Sequence, residues 1–473
     1  MEFSGHILIV PFPLQGHINS MLNLAHLLDL SNFHVTFLLT ADTHARLIAN
    51  SDVDSGRFSR RFRLHTFPAG IHGDRTGSQE ELAEMFYSLV KIGEPFLREL
   101  IARTGDSGAP FTCLISDLLE ISLNISRDLG LPVYYFRTIG ASALWAYFSV
   151  PDLIQANELP IKENGMDSLV TKVKGMESFL RARDLPSLCR ADEMTGPVFK
   201  LVCTQPQLVH QLHAIILNTF EGLEGPILSH IRAKYPKVYT IGPIHACLKA
   251  RLQLKQASSN SLLQEDRSCI SWLDSQEPKS VIYVSFGSIS VITRQQLMEF
   301  WYGLVNSGKK FLWVMRPDLV VAKDGESPIP FELEEGTKAN GYMVGWAPQE
   351  EVLEHPAVVG FLTHCGWNST LESIVAGVPM ICWPFFADQQ TNSRFVGEVW
   401  KVGLDMKDVC DRSSVENMIR ELMDKRKGEL LKRVEDMAKV AKEAITEGGS
   451  SYCNLDCLIQ DIIKLNVSVR RTI

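Results

Sequence analysis

Residues 346–389 read WAPQEEVLEHPAVVGFLTHCGWNSTLESIVAGVPMICWPFFADQ, and this stretch decides the fold. The apolar residues 358–363 predict a buried strand, and a helical pattern that starts near Asn368 ends at Gly377. A second apolar run at residues 380–383 predicts the next strand. Strand, helix and strand in this order form a βαβ unit, so the stretch predicts a parallel sheet.

The same alternation extends in both directions from this stretch. Apolar or β-branched runs predict further strands at residues 6–11, 34–39, 113–116, 132–136, 281–286, 311–315 and 341–344, with helical patterns between them. A polar, Ser- and Gln-rich segment at residues 247–265 interrupts the series and predicts a linker. We therefore expect an α/β protein with two Rossmann-like domains that face a cleft. The predicted domains are residues 1–246 and 266–455, and a final helix, residues 456–473, is expected to pack back on the first domain.

Composition narrows the class of protein. The chain has 473 residues, a formal net charge of −8, and 45% hydrophobic and 22% charged residues, which is typical of globular proteins. This acidic balance argues against nucleic acid or an anionic membrane as a partner. The ten cysteines form no CxxC pair, the first residues lack a basic leader, and no apolar run reaches about 18 residues. We expect a cytoplasmic protein with reduced thiols and no membrane span.

The turn at residues 364–369 predicts an anion site. A turn that leads from a strand into a helix leaves free backbone N–H groups at the helix N-terminus, where phosphate binds well. The side chains of His364, Asn368 and Ser369 add donors. An ordinary strand–turn–helix with Asn368 as a plain cap is the alternative interpretation.

Further groups at the neighbouring strand ends favour a nucleotide sugar. Trp346 offers a flat face for a base, and Glu372 lies one turn into the helix, where it can accept hydrogen bonds from ribose. Asp388 and Gln389 follow the next strand and suit a second polyhydroxylated ring. A plain helix cap needs none of these groups.

The whole of residues 346–389 resembles the signature segment of plant secondary-product glycosyltransferases, the UDP-sugar-dependent family with the GT-B fold. The stretches FPLQGHINSML (12–22), YVSFGS (283–288) and FLWVMRPD (311–318) are also similar to that family. The resemblance implies a donor site for UDP-glucose in the second domain and an acceptor site in the first. It implies no further cofactor and no metal.

The resemblance also implies a role for each matching residue. Trp346 would stack on uracil beside Ala347, and Gln349 and Glu372 would hold the ribose. The diphosphate would be bound by His364, Asn368, Ser369 and Ser288, and the sugar by Trp367, Asp388, Gln389 and the nearby Thr138. In the family, Gln at the last position of the segment accompanies glucose as the donor sugar.

His17 and Asp117 are the candidate catalytic residues. His17 opens the helix after the first strand, and a helix N-terminus favours the neutral imidazole that a general base requires. A lone His at this place more often serves only as a hydrogen-bonding group at the start of the helix, but the resemblance makes it the catalytic base. Asp117 could cap the following helix or orient His17, and the resemblance assigns the second role. The implied reaction is a single displacement with inversion.

The predicted acceptor pocket is apolar, with Phe12, Leu14, Arg137 and Phe386 as its expected lining, and residues 86–89, 138–147 and 176–185 as further candidates. The stretch FRTIGAS (136–142) is similar to a subgroup that acts on iridoids and other monoterpenoids, which implies an iridoid or other terpenoid acceptor such as 7-deoxyloganetic acid. Arg137 would then bind the carboxylate, unless an internal partner such as Asp117 or Asp388 neutralises it.

Three other functions stay open at this point. A flavonoid or phenolic O-glucosyltransferase would share the donor site and differ in acceptor. A non-catalytic nucleotide-sugar-binding protein would not need His17 and Asp117. A metal-dependent transferase would use the DxD pattern of Asp52 and Asp54, although that pattern lies in a Ser- and Gly-rich stretch typical of an exposed loop. We expect a monomer.

Overall fold

The computed structural model describes residues 3–51, 58–71, 79–103, 109–190, 194, 196–235, 237–253, 260–320 and 331–472. Two parallel sheets flanked by helices form within these residues, which confirms the predicted α/β class with two Rossmann-like domains. All ten cysteines belong to this part of the chain and are free thiols. Among the described helices, none combines the length and the apolar character that crossing a membrane requires.

The first sheet contains seven parallel strands in the described part of the chain, in the order β3-β2-β1-β4-β5-β6-β7. These strands are β1 His6–Val10, β2 His34–Leu39, β3 Phe62–Thr66, β4 Cys113–Ser116, β5 Val133–Arg137, β6 Ala214–Leu217 and β7 Val238–Thr240. The helices of this half are α1 Gln15–Leu30, α2 Ala41–Asn50, α3 Gln79–Ser88, α4 Glu94–Ala102, α5 Leu119–Leu129, α6 Ala141–Phe148, α7 Val150–Gln155, α8 Pro197–Leu208, α9 Glu221–Lys234 and α10 Ile244–Leu252.

The second sheet has six parallel strands among the described residues, in the order β10-β9-β8-β11-β12-β13. Its strands are β8 Val281–Ser285, β9 Lys310–Val314, β10 Gly341–Val344, β11 Val358–Thr363, β12 Met380–Cys382 and β13 Gly403–Asp405. The helices that accompany it are α11 Ser268–Asp274, α12 Arg294–Asn306, α13 Phe331–Thr337, α14 Gln349–Glu354, α15 Trp367–Ala376, α16 Gln389–Arg394, α17 Arg412–Arg420, α18 Lys427–Ile445 and α19 Ser450–Thr472.

Each sheet reverses its strand order at one place. In the first sheet the reversal lies between β1 and β4, and in the second it lies between β8 and β11. Open parallel sheets bind ligands beyond the carboxyl ends of the strands at such a reversal, because the two following loops separate there and leave a crevice. The loops that leave these four strands are therefore the places to look for a site.

Helices α10 and α19 tie the two halves together. Helix α10 extends into the first part of the predicted linker. It forms there because Cys247 and Leu248 pack into the same buried apolar cluster as β1 and α1. Helix α19 begins at Ser450, ahead of the predicted position 456, and buries Leu455 and Leu458 in that cluster. Its Asp461 accepts a hydrogen bond from Tyr134 Oη of β5 at 2.6 Å, so the last helix packs on the first sheet.

Candidate active site

The two reversal points face each other across a cleft that holds three cavities. A cavity of about 530 Å³ lies mainly against the first domain. A second of about 290 Å³ lies between the loops that follow β1, β8 and β11, and a third of about 460 Å³ extends it towards α14. His17 lines both the first and the second cavity, so it lies where the two meet.

His17 is held by Asp117 through one ring nitrogen. The distance from His17 Nδ1 to Asp117 Oδ2 is 2.5 Å, and Thr138 Oγ1 lies 3.1 Å from the same nitrogen. A carboxylate only accepts hydrogen bonds, so Nδ1 carries the proton and Nε2 is left as the basic atom. The other carboxylate oxygen of Asp117 accepts from the backbone N–H of Phe12 at 2.7 Å. Helix α5 begins without a side-chain cap, so the alternative role of Asp117 as its cap is not observed.

The turn after β11 forms a tight, uncapped helix start. Cys365 has a φ of +65°, an unfavourable value for a residue other than glycine, and helix α15 begins without a side-chain capping bond. Gly366 through Ser369 line the 290 Å³ cavity, so free N–H groups of this helix start are available to an anion there. Ser288, after β8, lies on the same cavity.

His364 lies deep in the same turn. Its side chain is 8% exposed, and its Nδ1 has no hydrogen-bond partner among the described residues. Burial lowers the pKa of His364 to about 4, so the ring is neutral near pH 7. A Cβ on Gly287 or Gly366 would lie 2.4 or 2.5 Å from its Nε2, so both positions need glycine.

A chain of hydrogen bonds orders the end of the cleft nearest α14. Gln349 Nε2 donates to Glu372 Oε2 at 2.6 Å and to Ser369 Oγ at 2.9 Å, and Tyr283 Oη donates to Gln349 Oε1 at 3.2 Å. Burial raises the pKa of Glu372. The 460 Å³ cavity is lined by all four residues predicted to bind the base and the ribose, Trp346, Ala347, Gln349 and Glu372.

Residues 385–389 follow β12, and we call them the sugar loop after the role predicted for Asp388 and Gln389. Gln389 Oε1 accepts from the backbone N–H groups of Phe385 and Phe386 at 2.8 and 2.9 Å. Asn392 Nδ2 donates to Asp388 Oδ2 at 2.7 Å and fixes that carboxylate, whose pKa is raised by burial. Gln389 Nε2 is thereby directed away from its own loop, and both residues line the 290 Å³ cavity.

Two predicted donor residues hold the domains together instead of presenting free side chains. Asn368 Nδ2 donates to the carbonyl of Gly16, and its Oδ1 accepts from Ser20 Oγ, both at 2.8 Å. Trp367 is 3% exposed and its indole N–H donates to the carbonyl of Asn218 at 2.7 Å. Both residues line the 290 Å³ cavity. The Asn368 side chain fixes the start of α15 against the start of α1, which carries His17, and the Trp367 side chain fixes it against the residue that follows β6.

The 530 Å³ cavity has the apolar character expected of the acceptor pocket. Phe12, Leu14, Arg137 and Phe386 line it, as do residues of α3 and α5. The expectation for residues 176–185 is wrong, because Met176, Leu180 and Leu185 are buried in the core and do not line the cavity.

Arg137 is the cation of this cavity. Its Nη1 donates to Tyr135 Oη at 3.1 Å, and its Nε is buried without a hydrogen-bond partner in the described structure. Asp117 and Asp388 act on it only through their charge, and no described carboxylate forms an ion pair with it. Burial opposes the charged form, but nearby Tyr135 and Tyr147 raise its pKa overall, so the guanidinium stays charged.

The sequence did not reveal several residues of the cleft. Ser187 and Leu188 line the 530 Å³ cavity, and so does Gln205, whose buried Oε1 has no partner among the described residues. Gln15 and Asn19 of the first domain line the 460 and 290 Å³ cavities, and each has a buried side-chain oxygen without a partner among the described residues. Isolated Gln and Asn residues carry no sequence signal of such a role. The DxD residues Asp52 and Asp54 lie outside the described part of the chain.

Comparison with known proteins agrees with this geometry. Residues 253–434 match the family described as UDP-glucoronosyl and UDP-glucosyl transferase. A 7-deoxyloganetic acid glucosyltransferase from Catharanthus roseus is 53% identical, with 98% of each chain covered. A myricetin 3-O-rhamnoside 1,2-glucosyltransferase from Crocosmia x crocosmiiflora is 43% identical, with 98% of this chain and 97% of that protein covered.

The fold comparison gives the same answer. Os79 from O. sativa, solved in complex with UDP, superimposes with a TM-score of 0.80 at 28% identity. The match covers 96% of this chain and 100% of that one. The two facing Rossmann-like domains thus have the GT-B arrangement. The chain belongs to the UDP-glucoronosyl and UDP-glucosyl transferase family and is an enzyme of the UDP-glucosyltransferase type.

Proposed function

We propose that the protein transfers glucose from UDP-glucose to a hydroxyl of an iridoid acid of the 7-deoxyloganetic type. The Catharanthus roseus relative supports this acceptor class by its name and its 53% identity. The cavity supports this acceptor class by its size and its lining, since 530 Å³ of mainly apolar space with one cation suits a small lipophilic acid. The resemblance of residues 346–389 and Gln389 at their end support glucose as the donor sugar.

The state of Arg137 is the observation that carries the proposal. The guanidinium of Arg137 is partly buried, and its Nε has no hydrogen-bond partner in the described structure. The hydroxyl of Tyr135, which accepts from Nη1, replaces only part of the hydration that the charge has lost, because it brings no negative charge. The planar fork of the guanidinium matches a carboxylate, which would restore the missing charge and hydrogen bonds. An acceptor that brings its own carboxylate completes the pocket, whereas a neutral acceptor leaves the cation unpaired.

The proposed mechanism uses His17 as the general base. The acceptor hydroxyl gives its proton to Nε2, and its oxygen attacks the anomeric carbon of the glucose as the bond to UDP breaks. Asp117 holds Nδ1–H and stabilises the imidazolium that forms. The N–H groups at the start of α15 stabilise the diphosphate that leaves. One displacement of this kind inverts the anomeric configuration.

We further propose that the enzyme works without a metal or cofactor, as a monomer in the cytoplasm. The helix start of α15, together with Ser288 and His364, supplies donors for the diphosphate charge that a metal would otherwise neutralise. Full turnover in EDTA and a monomeric mass in solution are the expected results. Activity that is lost in EDTA and restored by Mn²⁺ would instead favour the metal-dependent transferase that uses Asp52 and Asp54.

The acceptor proposal is tested with the acid and its methyl ester. Arg137→Leu should raise KM for the acid about 10- to 100-fold more than KM for the ester, which corresponds to one charge-assisted hydrogen bond of roughly 1.5–3 kcal/mol. Arg127→Leu, an exposed arginine of α5, is the matched control and should change neither value. Equal effects on acid and ester, or a wild-type preference for flavonoids such as the Crocosmia relative's named substrate, would contradict the proposal.

A further inference from the structure

A short segment of the first domain reaches across the cleft to the sugar loop. We call residues 181–190 the clasp segment. The backbone N–H of Ser187 donates to the carbonyl of Ala387 at 3.0 Å, and the backbone N–H of Ala387 donates to Ser187 Oγ at 2.9 Å. Ser187 therefore satisfies both backbone groups of one residue in the sugar loop.

Ala387 is the residue of the sugar loop that most needs this support. Its φ is +56°, in the left-handed region that residues with a side chain rarely adopt. Such a conformation persists only where surrounding contacts hold it. Because Ala387 directly precedes Asp388, its backbone direction determines where the Asp388 carboxylate points.

A buried ion cluster anchors the clasp segment. Asp184 is fully buried and its carboxylate binds Arg181 twice, through Nε at 2.9 Å and Nη2 at 3.0 Å. Lys407, from the second domain, lies 2.7 Å from the same carboxylate. Burial alone would raise the pKa of Asp184, but Arg181 and Lys407 lower it overall, so the carboxylate is charged near pH 7.

The cluster also holds the residues that follow the sugar loop. Lys407 Nζ donates to the carbonyl of Gln390 at 2.9 Å, and Thr391 Oγ1 donates to the carbonyl of Asp184 at 2.8 Å. The clasp segment thus fixes the sugar loop at Ala387 and helix α16 just beyond it. Asp388 and Gln389 lie between these two points.

Stability alone is a weak reason for such an arrangement. A buried ion cluster often stabilises a fold no better than apolar residues of the same volume, because its charges lose their hydration. It does fix the direction of the groups it joins, and catalysis is sensitive to misplacement of about 1 Å. The same segment also lines the acceptor cavity through Ser187 and Leu188, so one element borders both substrates.

We propose that the clasp segment is a positioning element that holds the sugar loop in the shape in which Asp388 and Gln389 bind the transferred sugar. Losing its contact to Ala387 then weakens binding of the glucosyl group and leaves binding of UDP unchanged. This inference rests on UDP-glucose as the proposed donor. It does not depend on the acceptor, so failure of the acceptor proposal leaves the experiment below unaffected.

The test compares the affinities of UDP and UDP-glucose by titration calorimetry. Ser187→Ala removes one hydrogen bond to the sugar loop, and Lys407→Met removes the cation beneath α16. Each should weaken UDP-glucose binding about 5- to 10-fold, the equivalent of one hydrogen bond, with the affinity for UDP within twofold of wild type. The preference for UDP-glucose over UDP-galactose should fall by a similar factor.

Ser229→Ala is the matched control, because this exposed serine of α9 also forms a hydrogen bond between its hydroxyl and the backbone, in this case by donating to the carbonyl of Pro226. It should alter neither affinity. Thermal unfolding shows whether each variant is folded, and Ser187→Ala keeps the ion cluster intact if Lys407→Met is too unstable to study. Equal weakening of UDP and UDP-glucose would show a purely structural role, and unchanged affinities would also overturn the proposal.

Discussion

Replacing Asp117 by Asn tests how the base is held in its reactive state. The backbone N–H of Phe12 donates to Asp117 Oδ1, so an Asn must turn its carbonyl oxygen to Phe12 and its NH2 group to His17. An NH2 group facing Nδ1 requires that nitrogen to accept a hydrogen bond. The proton of the imidazole then moves to Nε2, which is the atom that should receive the proton of the acceptor hydroxyl.

The size of the effect follows from the contacts that the reactive tautomer would lose. To react, the variant must place two N–H groups against each other, which forfeits a hydrogen bond to a charged group and leaves a buried donor unsatisfied. These two losses amount to about 3–5 kcal/mol. At about 1.4 kcal/mol per factor of ten, kcat should fall by about 10²–10⁴. The affinity for UDP should stay within twofold, because Asp117 does not line either donor cavity.

Two comparison variants distinguish the effect of the wrong His17 tautomer from the effect of losing a hydrogen bond to Nδ1. Thr138→Val removes the hydroxyl 3.1 Å from Nδ1 but keeps Asp117, so kcat should fall less than about tenfold. Asp117→Ala leaves Nδ1–H free to donate to Thr138 Oγ1, so it should be more active than Asp117→Asn. Steady-state kinetics at saturating donor decide the order. A kcat of Asp117→Asn within tenfold of wild type, or above that of Asp117→Ala, would refute the tautomer argument.

Three further predictions concern the donor half of the site. The wild-type enzyme should prefer UDP-glucose over UDP-galactose, UDP-xylose and UDP-glucuronate, and Gln389→His should reduce its preference for UDP-glucose over UDP-galactose. Competition assays measure both effects, and a wild-type preference for another donor would contradict UDP-glucose as the donor. Gly140→Ala should lower both stability and affinity for UDP-glucose, because a Cβ there would lie 2.8 Å from the Trp367 ring, whereas Gly225→Ala, which has open space, should be neutral in the same assays. Burial lowers the pKa of His364 from 6.5 to about 4, so between these two pH values the imidazole is protonated in the unfolded chain and neutral in the folded one. The free energy of unfolding should therefore fall as the pH drops from 6.5 towards 4. His364→Asn should lose less unfolding free energy than the wild type between pH 7 and 4.5, as measured by urea titration. Equal losses in the two proteins would refute the role of His364 in this pH dependence.

The sequence revealed the parts of the site that follow strands. His17 and Asp117 come after β1 and β4, and the 364–369 turn comes after β11, so alternation of strands and helices was enough to bring them to one edge of each sheet. The resemblance of residues 346–389 then supplied their roles. Strands β4 and β11 have the predicted bounds, and β1 ends one residue before the end of the predicted run, because an apolar run can extend past the hydrogen-bonded ladder.

Contacts between the domains could not be predicted in this way. Asn368 looked like a diphosphate ligand, yet its side chain bonds to Gly16 and Ser20, more than three hundred residues away in the chain. Residues 176–185 were expected to form a wall of the acceptor pocket, but the structure buries Met176, Leu180 and Leu185 in the core. The local sequence pattern shows which residues are buried, but it does not show which residues pack against them, since that depends on how the two domains pack together.

The path of helix α19 has a consequence for how the chain acquires its structure. Leu455, Leu458 and Ile462 are completely buried in the apolar cluster that contains β1 and α1, so part of the apolar surface of the first sheet stays open to water until α19 has been synthesised. During synthesis, the second sheet is therefore completed before the first one is fully covered. In terms of assembly, the second domain is an insertion within the first, and contacts of such long sequence separation form slowly. The first domain is thus the last to be finished, although it is the first to leave the ribosome.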